Sequence, residues 1–118
     1  MDESRPIFVQ IAEAISNDII VGVLPEETQV PSTNEYAAFY RINPATALKG
    51  VSLLVDEGIL YKKRGIGMFV AEGARIRLVA DRRERFSAEY VRPLIQEADK
   101  LGISSTELAG MIQKEADQ

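Results

Sequence analysis

Histidine, cysteine and tryptophan are all missing from these 118 residues. Their absence removes the Ser/His/Asp triad, thiol nucleophiles, zinc sites built on His or Cys, ordinary haem ligation and disulfides, so neither a metal nor a cofactor is expected. Long apolar runs are missing too. The longest, Ile19 to Leu24, is far too short to cross a bilayer, and no basic, long-apolar, small-residue series opens the chain. A cytoplasmic location with no membrane partner is the expectation, and the lack of cysteine agrees with a reducing compartment. The adjacent acids Glu26-Glu27 and Asp56-Glu57 point apart, which leaves no paired carboxylates for acid–base chemistry; an enzyme is not expected.

What is present is the composition of a folded domain, 46% apolar against 27% charged, enough for one main core and a small appendage. The net charge of −4 argues, taken whole, against a nucleic-acid partner. Its distribution argues otherwise. Residues 1–35 hold Arg5 against seven acids, a net of −6, and residues 72–118 have a net of −1. Residues 36–71 hold Arg41, Lys49, Lys62, Lys63 and Arg64 against Asp56 and Glu57, a net of +3.

Pro6 opens a segment in which Ile7, Ile11, Ile15 and Ile19 recur every four residues, an amphipathic helix ending near Val21 or Gly22. Gly22 to Pro31 is a loop, with one short strand at Thr28 to Val30. Ser32-Thr33-Asn34-Glu35 is a capping box and predicts a second helix from about Thr33 to Tyr40. Asn43-Pro44 and Gly58 bound a third helix, Pro44 to Glu57. On its wheel Ala47, Leu48, Val51, Leu54 and Val55 form the buried face, Ala45, Thr46, Lys49, Ser52 and Asp56 the outer one, with Leu53 anomalously among the polar residues. The runs Ile59 to Lys63 and Met68 to Ala71 flank Arg64-Gly65-Ile66-Gly67, a β-hairpin with a basic tip. A long helix from about Arg75 to Lys100 follows, kinked or split at Pro93, and Ser104-Ser105-Thr106-Glu107 opens a short last helix.

Three helices with a tight bend between the second and third, followed by a basic hairpin, form the pattern of a winged helix-turn-helix, here an α+β, mainly α fold with a two-helix C-terminal arm. The expected domains are 1–72 and 73–118. In such a module the third helix enters the major groove and the hairpin lies along the backbone or in the minor groove. The candidate DNA contacts are Ser32, Thr33, Asn34, Arg41, Asn43, Thr46, Lys49, Lys62, Lys63, Arg64, Gly65 and Gly67. Capping alone also accounts for Ser32 and Asn43, and turn geometry for the glycines. In the arm Phe86, Tyr90, Val91, Leu94, Ala98, Leu101, Leu108 and Ile112 give an apolar stripe suited to a homodimer seam; one or two helices cannot enclose a ligand pocket.

Five blocks carry a closer resemblance: Pro6 to Ile11, Val30 to Ala37, Ile42 to Thr46, Glu57 to Leu60, and Arg64 to Val70. In this order and spacing they resemble the GntR family of bacterial transcription regulators. The Asn-Pro-x-Thr start of the third helix and a tail of about 45 residues are similar to the YtrA-type branch, in which two helices serve dimerisation. The resemblance implies a homodimeric regulator, a repressor on a pseudo-palindromic double-stranded operator. The family commonly has Arg at Asn34, Arg or another polar residue at Leu48, and Pro-Gly at Glu26-Glu27, so the operator does not transfer from relatives. The competing reading is a winged-helix protein-interaction adaptor that works through its acidic first helix. Nothing in the sequence identifies an effector ligand.

Overall fold

The computed structural model describes residues 3–118. Two compact units divide the chain, one ending at Val79 and the other running Ala80–Gln118. The first holds α1 (Ile7–Ile20), α2 (Thr33–Tyr40), α3 (Pro44–Asp56), the antiparallel pair β1 (Leu60–Lys63) and β2 (Gly67–Val70), and the opening turns of α4 (Ala74–Phe86). The second holds the end of α4, a stretch of wider π-type hydrogen bonding at Ser87–Val91, α5 (Arg92–Lys100) and α6 (Ser105–Ala116).

Local chemistry sets the helix ends. The Ser32 hydroxyl accepts from the Glu35 amide at 3.1 Å while the Glu35 carboxylate accepts from the Ser32 amide at 3.0 Å. Those hydrogen bonds, the backbone one first, hold the Glu35 carboxyl below its ordinary pKa. Asn43 Oδ1 accepts from the Ala45 amide at 2.7 Å, and Pro44 follows where its missing N–H is not needed. Ser104 caps α6 by accepting from Glu107 N at 3.1 Å.

Ile11, Ile15 and Ile19 of α1, Ala47, Val51 and Leu54 of α3, and Leu60 and Val70 of the sheet make the core of the first unit. Where α1 crosses α3 the contact is backbone-close. A Cβ added to Gly50 would stand 2.8 Å from the Phe8 carbonyl oxygen and 3.1 Å from Ile11 Cβ. Tyr36 of α2 is buried and stacks on Tyr40; burial first, then the Asp18 charge, keeps its phenol protonated well above the ordinary range. The expected strand at Thr28 to Val30 is a bridge of Gln29 to Phe69, with Val30 N donating to Met68 O and Val70 N to Thr28 O.

Two arginines of α4 finish the carbonyl ends of other helices. Arg77 donates to Glu57 O at 2.6 Å and Gly58 O at 3.2 Å, and Arg75 to Ile20 O at 2.9 Å, each a cation at the negative end of a helix dipole. Glu26 accepts from Gly73 N at 2.7 Å and fixes the chain just before α4.

Two expectations need correction. Leu48, read as core, is 49% exposed, and Leu53, read as outward, is half-buried against the core. Gly50 is the cause. It is buried under α1 yet has no apolar side chain to register in a hydrophobic periodicity, so the true buried stripe, Ala47, Gly50, Val51 and Leu54, is rotated by about 50° from the expected one. The long helix also stays helical through Ser87–Val91, where its hydrogen bonding widens ahead of Pro93. The π-type stretch ends before α5 and Pro93 sits in the first turn of α5; widening the preceding turn relieves the clash of the ring with the carbonyl four residues back.

Candidate nucleic-acid interface

α3 presents an outer strip of Ala45, Leu48, Lys49 and Asp56, all exposed, with Ser52 and Thr46 half-buried beside it. Asn43 stands exposed at its start, its carbonyl oxygen committed to the cap. Lys49 places its ammonium 4.2 Å from the centre of the Phe8 ring on α1. Arg41 is exposed in the bend between α2 and α3 and takes a left-handed conformation, φ 56°, to turn the chain. Ser32 and Asn34 are exposed and Thr33 half-buried at the start of α2.

The wing follows α3 directly. Its register pairs Leu60 with Val70, Tyr61 with Phe69, Lys62 with Met68 and Lys63 with Gly67. Leu60 and Val70 enter the core, so the alternation of the strands sends Tyr61, Lys63 and Phe69 to the outer face. There the Tyr61 and Phe69 rings stack at 5.9 Å, the Lys63 ammonium lies 4.2 Å from the Phe69 ring centre, and the Tyr61 hydroxyl donates to Glu27 Oε2 at 2.6 Å. That hydrogen bond raises the Tyr61 pKa. Lys62, Lys63, Arg64, Gly65 and Ile66 are all exposed at the tip. Among the described residues none of Arg41, Lys49, Lys62, Lys63 and Arg64 joins an ion pair, so five uncompensated cations share this unit.

Gln29 is a residue that sequence patterns do not single out. Its side-chain amide donates to Ile66 O at 3.0 Å and braces the wing turn, a contact between residues 37 positions apart that no local motif announces. Gly67 makes room for it: φ is 148°, and an added Cβ would stand 2.5 Å from Gln29 Nε2. Gly67→Ala is expected to displace Gln29 and strain the backbone, lowering stability by about 1–3 kcal/mol in chemical denaturation. Gly65→Ala meets open space but also has a positive φ, 77°, so its loss is that of the backbone alone, about 1 kcal/mol.

In the second unit Phe86, Tyr90, Leu94, Leu101 and Ile112 are exposed, Val91 and Leu108 are half-buried, and Ala98 is buried beneath α6. Ile95 and Met111 add exposed apolar surface beyond the expected stripe. The Phe86 and Tyr90 rings lie 5.4 Å apart, while Arg85 bridges Asp81 at 2.9 Å and Glu89 at 3.2 Å. Between α5 and α6 lies an apolar groove of about 200 Å³ lined by Ile95, Ala98, Ile103, Leu108 and Ile112. Among the described residues no helix is long and apolar enough to cross a membrane.

Comparison with known proteins converges on this arrangement. The family model of bacterial regulatory proteins of the gntR family matches residues 8–70. The HTH-type transcriptional repressor YtrA of Bacillus subtilis is 30% identical over 105 residues, which is 89% of this chain and 80% of that protein. A crystal structure of a GntR-family transcriptional regulator from Bacteroides thetaiotaomicron matches with a TM-score of 0.73 at 36% identity, over 94% of this chain and 96% of the other. The DNA-binding domain of AraR in complex with operator ORX1 matches with a TM-score of 0.55 at 32% identity, over 60% of this chain and 87% of that domain.

Proposed function

Because the chain belongs to the GntR family of DNA-binding transcription regulators and is not an enzyme, we propose that it is a cytoplasmic repressor acting as a homodimer on a pseudo-palindromic operator. Residues 1–72 bind the DNA and residues 73–118 join the two copies. The observation that carries this reading is the set of five exposed, unpaired cations on the α2–α3 bend, α3 and the wing, in a chain that is acidic overall. Phosphate attracts that surface and repels the rest, so the field of the protein orients the encounter. The DNA contacts proposed are Ser32, Thr33, Asn34, Arg41, Asn43, Thr46, Lys49, Lys62, Lys63, Arg64, Gly65 and Gly67.

The homodimer rests on the exposed apolar residues of the second unit. Phe86, Tyr90, Leu94, Leu101 and Ile112 would leave a large wet apolar surface on a lone chain, and a two-fold partner removes it. Selection from random duplexes, followed by sedimentation of the complex, tests both parts. Expected are an inverted repeat and two chains per duplex. A consensus without symmetry, or one chain per duplex, overturns the dimer; no consensus at all favours a protein-interaction adaptor.

A further inference from the structure

We infer that Leu48 selects thymine at the operator position it faces, packing its side chain against the C5-methyl group in the major groove. This rests on the DNA-binding reading and says how α3 distinguishes one base from another. Leu48 lies in the N-terminal half of α3 and is 49% exposed, although residues of its type normally supply core. Ala45, one turn earlier, is exposed on the same strip and adds a second methyl group.

The hydrogen-bonding chemistry available on that strip is sparse. No arginine stands between Pro44 and Glu57, so the commonest guanine contact, a bidentate guanidinium, is missing. Asn43 Oδ1 is held by the Ala45 amide, which removes the acceptor half of a bidentate adenine contact. Thr46 is half-buried. The Lys49 ammonium, 4.2 Å from the Phe8 ring centre, is directed at α1 and is a point charge suited to phosphate. Beside the Asn43 amide donor, the exposed side chains of that strip offer mainly apolar surface, and thymine alone among the four bases presents a methyl group to the major groove. The same leucine acts against G·C at that position, because covering the polar edge of guanine or cytosine without returning a hydrogen bond is unfavourable.

Deoxyuridine pairs as thymidine does and lacks only the methyl group, so the test needs no change in hydrogen bonding. Each thymidine of the selected operator is replaced singly by deoxyuridine and binding of the full chain is measured. Wild type is expected to lose about fourfold in affinity at the position facing Leu48, the equivalent of about 0.8 kcal/mol for one buried methyl-sized group. Leu48→Ala is expected to bind the thymidine and deoxyuridine duplexes alike, with circular dichroism unchanged because the residue packs no core. Wild-type binding indifferent to every replacement overturns the inference and leaves the regulator reading intact, as does a Leu48→Ala variant that discriminates as well as wild type. Failure to select any consensus overturns both.

Discussion

Gly50→Val is expected to lower the melting temperature of the first unit by about 15 °C or more, the equivalent of about 3 kcal/mol in a domain this small. The Cβ of any side chain at Gly50 meets a backbone oxygen, Phe8 O at 2.8 Å, and on its other side the Ile11 side chain at 3.1 Å. Neither neighbour is the free end of a flexible side chain, so α1 has to move off α3. That separation opens the core where Ile11 and Ala47 are fully buried. Gly50→Ala carries the same collision but regains about 1 kcal/mol of helix propensity, and is expected to fall between wild type and Gly50→Val. Gly110, within α6, has nothing within 4 Å of an added Cβ. Gly110→Ala therefore gains the propensity alone and is expected to stabilise its own unit by up to about 1 kcal/mol. Thermal melts of the three variants separate packing from propensity; equal stability of Gly50→Val and wild type would mean that α1 and α3 do not meet at this glycine.

Raising salt from about 50 to 200 mM is expected to weaken operator binding at least a thousandfold, because neutralising some six to ten phosphates releases their counterions. Five exposed cations on each chain would supply that number in the proposed dimer. Replacing Lys62, Lys63 and Arg64 together by alanine is expected to weaken binding at low salt and to flatten the dependence of log affinity on log salt by about 0.9 for every phosphate no longer neutralised, about 5 for two wings. Lys49→Ala changes the slope by about 2 for two copies if its ammonium also meets phosphate. The substitutions sit on exposed positions at the hairpin tip, so their effect on folding is small. A slope unchanged in the wing triple variant would remove the wing from the interface, whatever the affinity of α3 for its site.

Much of the fold was legible because its signals are local. The capping box of Ser32 and Glu35, the Asn43-Pro44 pair and the Ser104 cap each fix a helix start within a few residues of chain, and α2, α3 and α6 begin where these signals place them. The isoleucine repeat of α1 and the alternation of the wing strands are likewise properties of one segment at a time. Regional charge was legible by the same reasoning, since it needs only the order of the residues.

Tertiary packing decided what no single segment encodes. The orientation of α3 depends on where α1 lands, and the landing point is a glycine, the residue type that hydrophobic periodicity cannot weigh. Its burial turns Leu53 inward and Leu48 outward, which changes the outer face of α3 from polar to partly apolar. Gln29 bracing the wing, Glu26 anchoring the start of α4, and Arg75 and Arg77 ending α1 and α3 are contacts across tens of residues, set by the meeting of elements. Helix caps, turns and charge are short-range properties, so the order of the residues sets the main helices, the hairpin and the basic edge. Which side chains that edge presents was decided only when the helices packed, because a close backbone contact at Gly50 outweighs the hydrophobic preference of one leucine.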